Sequence, residues 1–335
     1  MPRTRPASAH PETPIEIGLA AAVVTVERGA PQILVARGDG DMDALPSGSF
    51  DPLHHRTLDI GLRAFVTSQT ELGLGYVEQL YTFGDRGRHA LPGDAAPHVV
   101  SIGYLALTRL QGDRKLPKGV RFQPWYRYFP WEDWRGGRPA ILDAAVLPRL
   151  TAWANDKSGE AAERERRALA RNERVNLCFG TDQSPWDEEK VLDRYELLYE
   201  AGLLVEAIRD GRENAAGDDG LPPLGEPLAF DHRRILATAM GRLRAKLKYR
   251  PVIFELMPDT FTLTALQQTV EAISGRHLHK QNFRRLVEGT ALVEPTGRLK
   301  TTGGRPAALF RFRREVLQER SAPGLARRRA MNVPV

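Results

Sequence analysis

Cysteine is almost absent. Cys178 is the one thiol in 335 residues, so the chain holds neither an intramolecular disulfide framework nor a zinc site built on several thiolates. Its neighbours Leu177 and Phe179 suit a buried structural thiol better than a reactive one. Long apolar runs are also missing. No stretch nears the roughly eighteen uninterrupted apolar residues that a membrane-spanning helix needs. Residues 1–14 are rich in Pro, Ala, Thr and Arg and lack a signal-peptide core. They read as a disordered leader, with the cytoplasm as the default compartment and no membrane partner. Net charge is low as well. The 48 basic and 42 acidic side chains leave +6, which by itself names no partner.

What is present is unevenly spread. From Arg276 to the last residue there are 14 Lys/Arg against 4 Asp/Glu, while the remainder carries 34 against 38. A basic module on a slightly acidic body suits phosphate binding with release of counterions. The length allows two domains, and the 41% hydrophobic content is that of a globular protein.

The basic module has a pattern. Thr262 stands as an N-cap before Leu263, Leu266, Val270 and Ile273, whose spacing makes one apolar stripe on a helix that Gly275 ends. A second short helix follows, burying Phe283, Leu286 and Val287 and leaving Lys280, Gln281, Asn282, Arg284 and Arg285 outside. Residues 291–294 and 307–312 read as two strands joined by a loop with Arg298, Lys300, Gly303, Gly304 and Arg305. That order is a winged helix-turn-helix, whose second helix reaches base edges in a major groove. Asn282 and Gln281 suit adenine, and Arg284 or Arg285 suits guanine. Lys280 and the wing cations Arg298, Lys300 and Arg305 suit phosphate or the minor groove. The same charge could also be a solvated basic face. Arg327, Arg328 and Arg329 fall in a basic, disordered tail over 317–335.

The N-terminal half reads as a mixed α/β sandwich. Residues 15–26 form a buried strand with a hairpin partner at 32–36, and 76–83 and 99–107 are further strands. Between them, a helix over 57–70 puts Leu58, Leu62, Phe65 and Val66 on one face.

Leu45-Pro46-x-Gly48, followed by a helix with Arg63, resembles the start of a Nudix box, whose glutamates hold divalent metal. Aligned on Arg63, His55 takes the first Glu position, Ala64 the Glu after Arg, and Thr67 and Ser68 the metal-binding pair. Asp59 and Glu71 are near but out of position. Neutral hydroxyls cannot replace two carboxylates around magnesium, so no catalytic residue, metal or cofactor is expected. Further on, Leu256-Met257-Pro258, Phe261-Thr262-Leu263, Leu266-Gln267, Glu271-Ala272-Ile273, Lys280-x-Asn282-Phe283-Arg284 and Gly304-Arg305-Pro306-Ala307 look like the C-terminal domain of the NrtR family. The segment at 76–88 resembles that family's ligand side, and the overall likeness is to its alphaproteobacterial branch of NAD regulators.

The resemblance covers about 15–110 and 226–316. It implies a Nudix-like α/β/α sandwich that senses an NAD-related metabolite such as ADP-ribose and controls NAD-metabolism genes through the winged helix. Arg63, Arg86 and Arg88 would pair with phosphate oxygens, and Phe83 or Tyr81 would stack on a base. For Arg63 a structural salt bridge reads equally well, and for the two rings core packing is the stronger reading.

The domains expected are a leader (1–14), a sensor (15–248) with a helical insertion over about 112–227, a winged helix (249–316) and the tail. Residues 125–134 are strongly aromatic, either core beneath an added lobe or an interface. Residues 214–227 read as a linker, and 230–248 as the helix leading to the winged helix. The reading is a homodimeric, ligand-responsive regulator on a near-palindromic DNA operator. Its rival is an active Nudix pyrophosphohydrolase with an accessory C-terminal domain.

Overall fold

The computed structural model describes residues 15–37, 42–85, 98–110, 115–156, 158, 160–212, 220–301 and 306–313. The expected leader and tail, and the candidates Arg86, Arg88 and Arg305, lie outside the described residues.

Seven strands form one mixed sheet. β1 (Ile15–Glu27) pairs antiparallel with β2 (Ala30–Arg37), which pairs with β3 (Asp43–Ala44). β4 (Ser47–Ser49) joins the N-terminal half of β1. β5 (Val77–Phe83) pairs antiparallel with β6 (His98–Leu107), and β6 runs parallel to β1. β7 (Val120–Pro124) pairs with β2. The segment read as a helical insertion therefore begins by completing the sheet.

The apolar run of β1 is continuous because both faces of the sheet are covered. Leu19, Ala21 and Val23 join Leu34, Ile102 and Tyr104 against Leu62 and Val66 of α1 (Leu58–Thr70). Ala20, Ala22 and Val24 face the other way, in a cluster with Ile33, Leu105 and Leu107. On that side lies α6 (His232–Lys246), with Ile235, Leu236, Met240 and Leu243 fully buried. α1 starts where the sequence indicates, since the Thr57 side chain accepts the Ile60 N–H at 3.2 Å.

The remaining helices build a lobe over that second face: α2 (Leu147–Ala154), α3 (Ala161–Phe179), α4 (Val191–Glu200) and α5 (Val205–Arg209). The aromatic stretch resolves as core. Trp125, Tyr128, Phe129 and Trp131 have no exposed surface, and Phe129 and Trp131 meet edge to face at 5.9 Å. Residues 220–227 are docked, unlike a free linker. Arg149 donates to the carbonyls of Pro222 (2.8 Å) and Leu221 (3.1 Å), and Leu224 is buried.

After a short 3-10 turn (Val252–Leu256) come α7 (Leu263–Ser274), α8 (Lys280–Thr290) and the hairpin β8 (Val293–Lys300) and β9 (Ala307–Phe312). Thr262 caps α7 by accepting the Ala265 N–H at 3.1 Å. Gly275 closes the helix at φ 72°, where a side chain is strained. The first wing strand is longer than its sequence suggested, and Arg298 and Lys300 stand on it and not in the loop. Pro295 and Gly297 read as breakers, but the register shifts between Pro295 and Leu299, with Gly297 at φ 73°, and the strand continues past them. Phe261 bridges Phe310 through two backbone bonds of 2.8 and 2.9 Å, tying the entry of α7 to the wing.

The winged helix is not a separate bead. Ile253, Leu256, Leu266, Val270, Ile273, Phe283 and Val287 belong to the same buried cluster as the sheet and the aromatic lobe.

Candidate nucleic-acid interface and ligand side

α8 is strongly amphipathic in its residue pattern. Phe283 and Val287 are buried and Leu286 is half-buried, while Lys280, Gln281, Asn282, Arg284 and Arg285 are exposed. None of these five side chains bonds to another described residue, so their donors are available. The preceding turn is held rigidly. Glu271, on α7, accepts the Leu278 N–H at 2.8 Å and the Gln267 amide at 2.9 Å, and His277 Nδ1 lies 3.3 Å away. Burial raises the Glu271 carboxyl, but those hydrogen bonds outweigh it and hold it below the usual carboxylate range. Sequence reading names Glu271 only within the family resemblance and gives it no role in the turn. An acid on the inner side of a helix is its only signal.

On the wing, Arg298 and Lys300 are exposed, while Arg311 is engaged with Glu294 at 2.6 Å. The exposed cations Lys280, Arg284 and Arg285 of α8 and Arg298 and Lys300 of β8 thus have no paired carboxylate among the described residues, as phosphate contacts require.

The ligand side differs from expectation. Arg63 donates to Asp59 Oδ2 (3.0 Å) and to the Leu74 carbonyl (2.9 Å), so its guanidinium pins the loop after α1. Phe83 is 4% exposed, and the Arg234 guanidinium lies over its ring at 4.9 Å, so neither face is open to a base. Tyr81 is the exposed ring of the pair. Arg234 also pairs with Glu196, Asp231 and Asp85, the last described residue before 86–97. A cleft of about 840 Å³ separates the loop at Gly73 and Gly75 from Met257, Asp259 and Phe312. Its two guanidiniums are engaged, Arg109 with Asp259 (3.0 Å) and Arg311 with Glu294.

The residues at the metal positions do not fit a divalent cation. Thr67 donates to the Leu72 carbonyl (3.3 Å) and Ser68 to the Phe65 carbonyl (2.9 Å), while Asp59 is taken by Arg63. Among the described residues no group of three acids, histidines or cysteines converges. Nor is any helix among them long and apolar enough to cross a membrane.

A mixed sheet covered by helices on both faces, joined to a winged helix, defines the class by its fold: an α/β/α sandwich with a C-terminal winged helix. Residues 253–312 match the family model of the NrtR DNA-binding winged helix domain. A relative from Acinetobacter baylyi, the ADPR responsive transcriptional repressor NtrR, is 46% identical over 85 residues, 25% of this chain and 34% of that one. The match therefore spans about a third of that relative's length. Among solved structures, Shewanella oneidensis NrtR complexed with a 27mer DNA superposes with a TM-score of 0.52 at 19% identity, covering 89% of this chain and 93% of that one. A MutT/nudix family protein from Enterococcus faecalis gives 0.50 at 14% identity, covering 92% and 89%. Residues 253–312 thus resemble the NrtR DNA-binding winged helix domain, and over most of its length the chain shares the fold of Shewanella oneidensis NrtR.

Proposed function

We propose that this chain is a ligand-responsive DNA-binding transcriptional regulator. The observation that carries the reading is α8: five exposed polar or basic side chains, free of partners among the described residues, on a domain matched to the NrtR DNA-binding family. Gln281, Asn282, Arg284 and Arg285 would face base edges in the major groove, with Lys280, Arg298, Lys300 and Arg305 on phosphate or in the minor groove. The protein would act as a cytoplasmic homodimer on a near-palindromic operator.

The effector is an NAD-related metabolite, ADP-ribose first. The ADPR-responsive repressor among the relatives supports this, and NAD biosynthesis genes are the expected targets. Arg63 and Phe83 are committed to the fold, which leaves Arg86 and Arg88 as the candidate phosphate ligands. Regulation is ordinary linkage: a ligand that prefers one arrangement of the two domains changes operator affinity by its differential binding. Hydrolysis is not part of the reading, since Thr67 and Ser68 present hydroxyls already bonded to backbone carbonyls.

A gel shift with the duplex upstream of the chain's own gene tests it. A specific shift that Lys280→Ala/Arg284→Ala abolishes and ADP-ribose alters is the expected result. An unchanged shift in the double variant removes α8 as the reader. Magnesium-dependent turnover of ADP-ribose would restore the hydrolase alternative.

A further inference from the structure

The aromatic lobe and the winged helix meet at one buried carboxylate. Arg194, on α4, donates Nε to Glu132 Oε1 at 2.6 Å and Nη2 to Oε2 at 3.0 Å. Arg244, on α6, donates Nη1 to that same Oε2 at 2.6 Å. All three side chains are closed to solvent. Arg244 then reaches across the domain boundary, where its Nε donates to the Ile273 carbonyl at 3.0 Å. Two more bonds land beside it. The Tyr126 hydroxyl donates to the Ala272 carbonyl at 2.8 Å, and the Trp134 N–H donates to the Gly275 carbonyl at 2.7 Å.

These acceptors are the last carbonyls of α7, groups that a helix cannot satisfy by itself. Here another lobe satisfies them. The approach is so close that a Cβ at Gly275 would overlap the Glu132 carbonyl oxygen and crowd the Tyr126 hydroxyl. Gly275 also starts the turn that leads into Lys280, so the direction of α8 is set at this junction.

We infer that Glu132, with Arg244 and Tyr126, is a positioning group for DNA recognition: it fixes the end of α7 and thereby aims the reading helix. The inference rests on the DNA-binding reading above. Phosphate contacts hold a protein on any duplex, whereas base contacts need the helix correctly aimed. A loosened junction therefore weakens specific binding before non-specific binding.

The test uses the full chain as Tyr126→Phe and Glu132→Gln. Tyr126→Phe removes a single hydroxyl and keeps the ring, so it retains the fold even where Glu132→Gln, which leaves two buried guanidiniums without their counter-charge, does not. Circular dichroism establishes which variants fold. In Tyr126→Phe the backbone amides of 276–283 are expected to exchange hydrogen faster. Operator affinity is expected to fall about fivefold, the worth of one hydrogen bond, with affinity for a scrambled duplex unchanged. Wild-type exchange rates in Tyr126→Phe overturn the positioning role whatever the chain binds. Faster exchange with an unchanged operator-to-scrambled ratio overturns it too. Faster exchange in a protein whose wild type prefers no duplex keeps the junction and removes the DNA-binding reading instead.

Discussion

The side chain of Glu271 accepts the backbone N–H of Leu278 at 2.8 Å, joining the first helix of the winged domain to the turn before its second. That carboxyl lies below the usual range because three donors outweigh its burial. A depressed folded pKa gives stability that is complete above the unfolded value and lost as the pH falls through the folded one. The contribution is therefore intact at neutral pH and fades only below about pH 4, the ordinary carboxylate value. Melting temperatures of the wild type and Glu271→Gln, followed from pH 7 downward, are expected to differ most at neutral pH and converge below that point.

Lys280 and Arg284 are expected to fail differently. Replacing Lys280 by Ala weakens binding to every duplex and lowers the slope of log affinity against log salt by about one. Replacing Arg284 by Ala loses about 1–3 kcal/mol on the operator and relaxes preference at one base position. Fluorescence anisotropy on operator and single-base variants separates the two.

Phe129 has no exposed surface and touches the rings of Trp131 and Tyr195. Phe129→Ala is expected to destabilise the chain by about 3–5 kcal/mol. Because the cluster runs through both domains, urea unfolding followed by tryptophan fluorescence and by operator binding should shift together.

Ala291 ends α8 at φ 51°, a left-handed position held by a residue with a Cβ. Ala291→Gly relieves that strain and is expected to raise stability by about 0.5–1 kcal/mol, less the backbone entropy glycine adds to the unfolded chain. A melting temperature at or below wild type would refute the strain.

What could be read in advance followed from periodicity. The start of α1 near Thr57, the cap Thr262, the closing Gly275 and the buried stripe of α8 are local, and each fell where the sequence put it. The four long strands β1, β2, β5 and β6 were equally legible, β1 because its apolar residues alternate between two covered faces. Residues whose role depends on distant partners were not. Arg63 looked as much like a phosphate ligand as a tether until Asp59 and Leu74 closed around it. Phe83 needed Arg234, on α6 and distant in sequence, to lose its free face. β7 lay hidden in a segment dominated by helices, and the long first wing strand lay behind Pro295 and Gly297.

The core shared between the winged helix and the body limits how the winged helix can be reused. Cut at residue 249, the winged helix would present Ile253, Leu256 and Ile273, now buried in common with the body, to water. Its last helix turn would lose the carbonyl partners supplied by Tyr126, Trp134 and Arg244. Grafted onto an unrelated sensor, it is expected to aggregate or to bind duplexes indiscriminately. Transplantation would have to carry the aromatic lobe along, so the unit that must move together is larger than the winged helix.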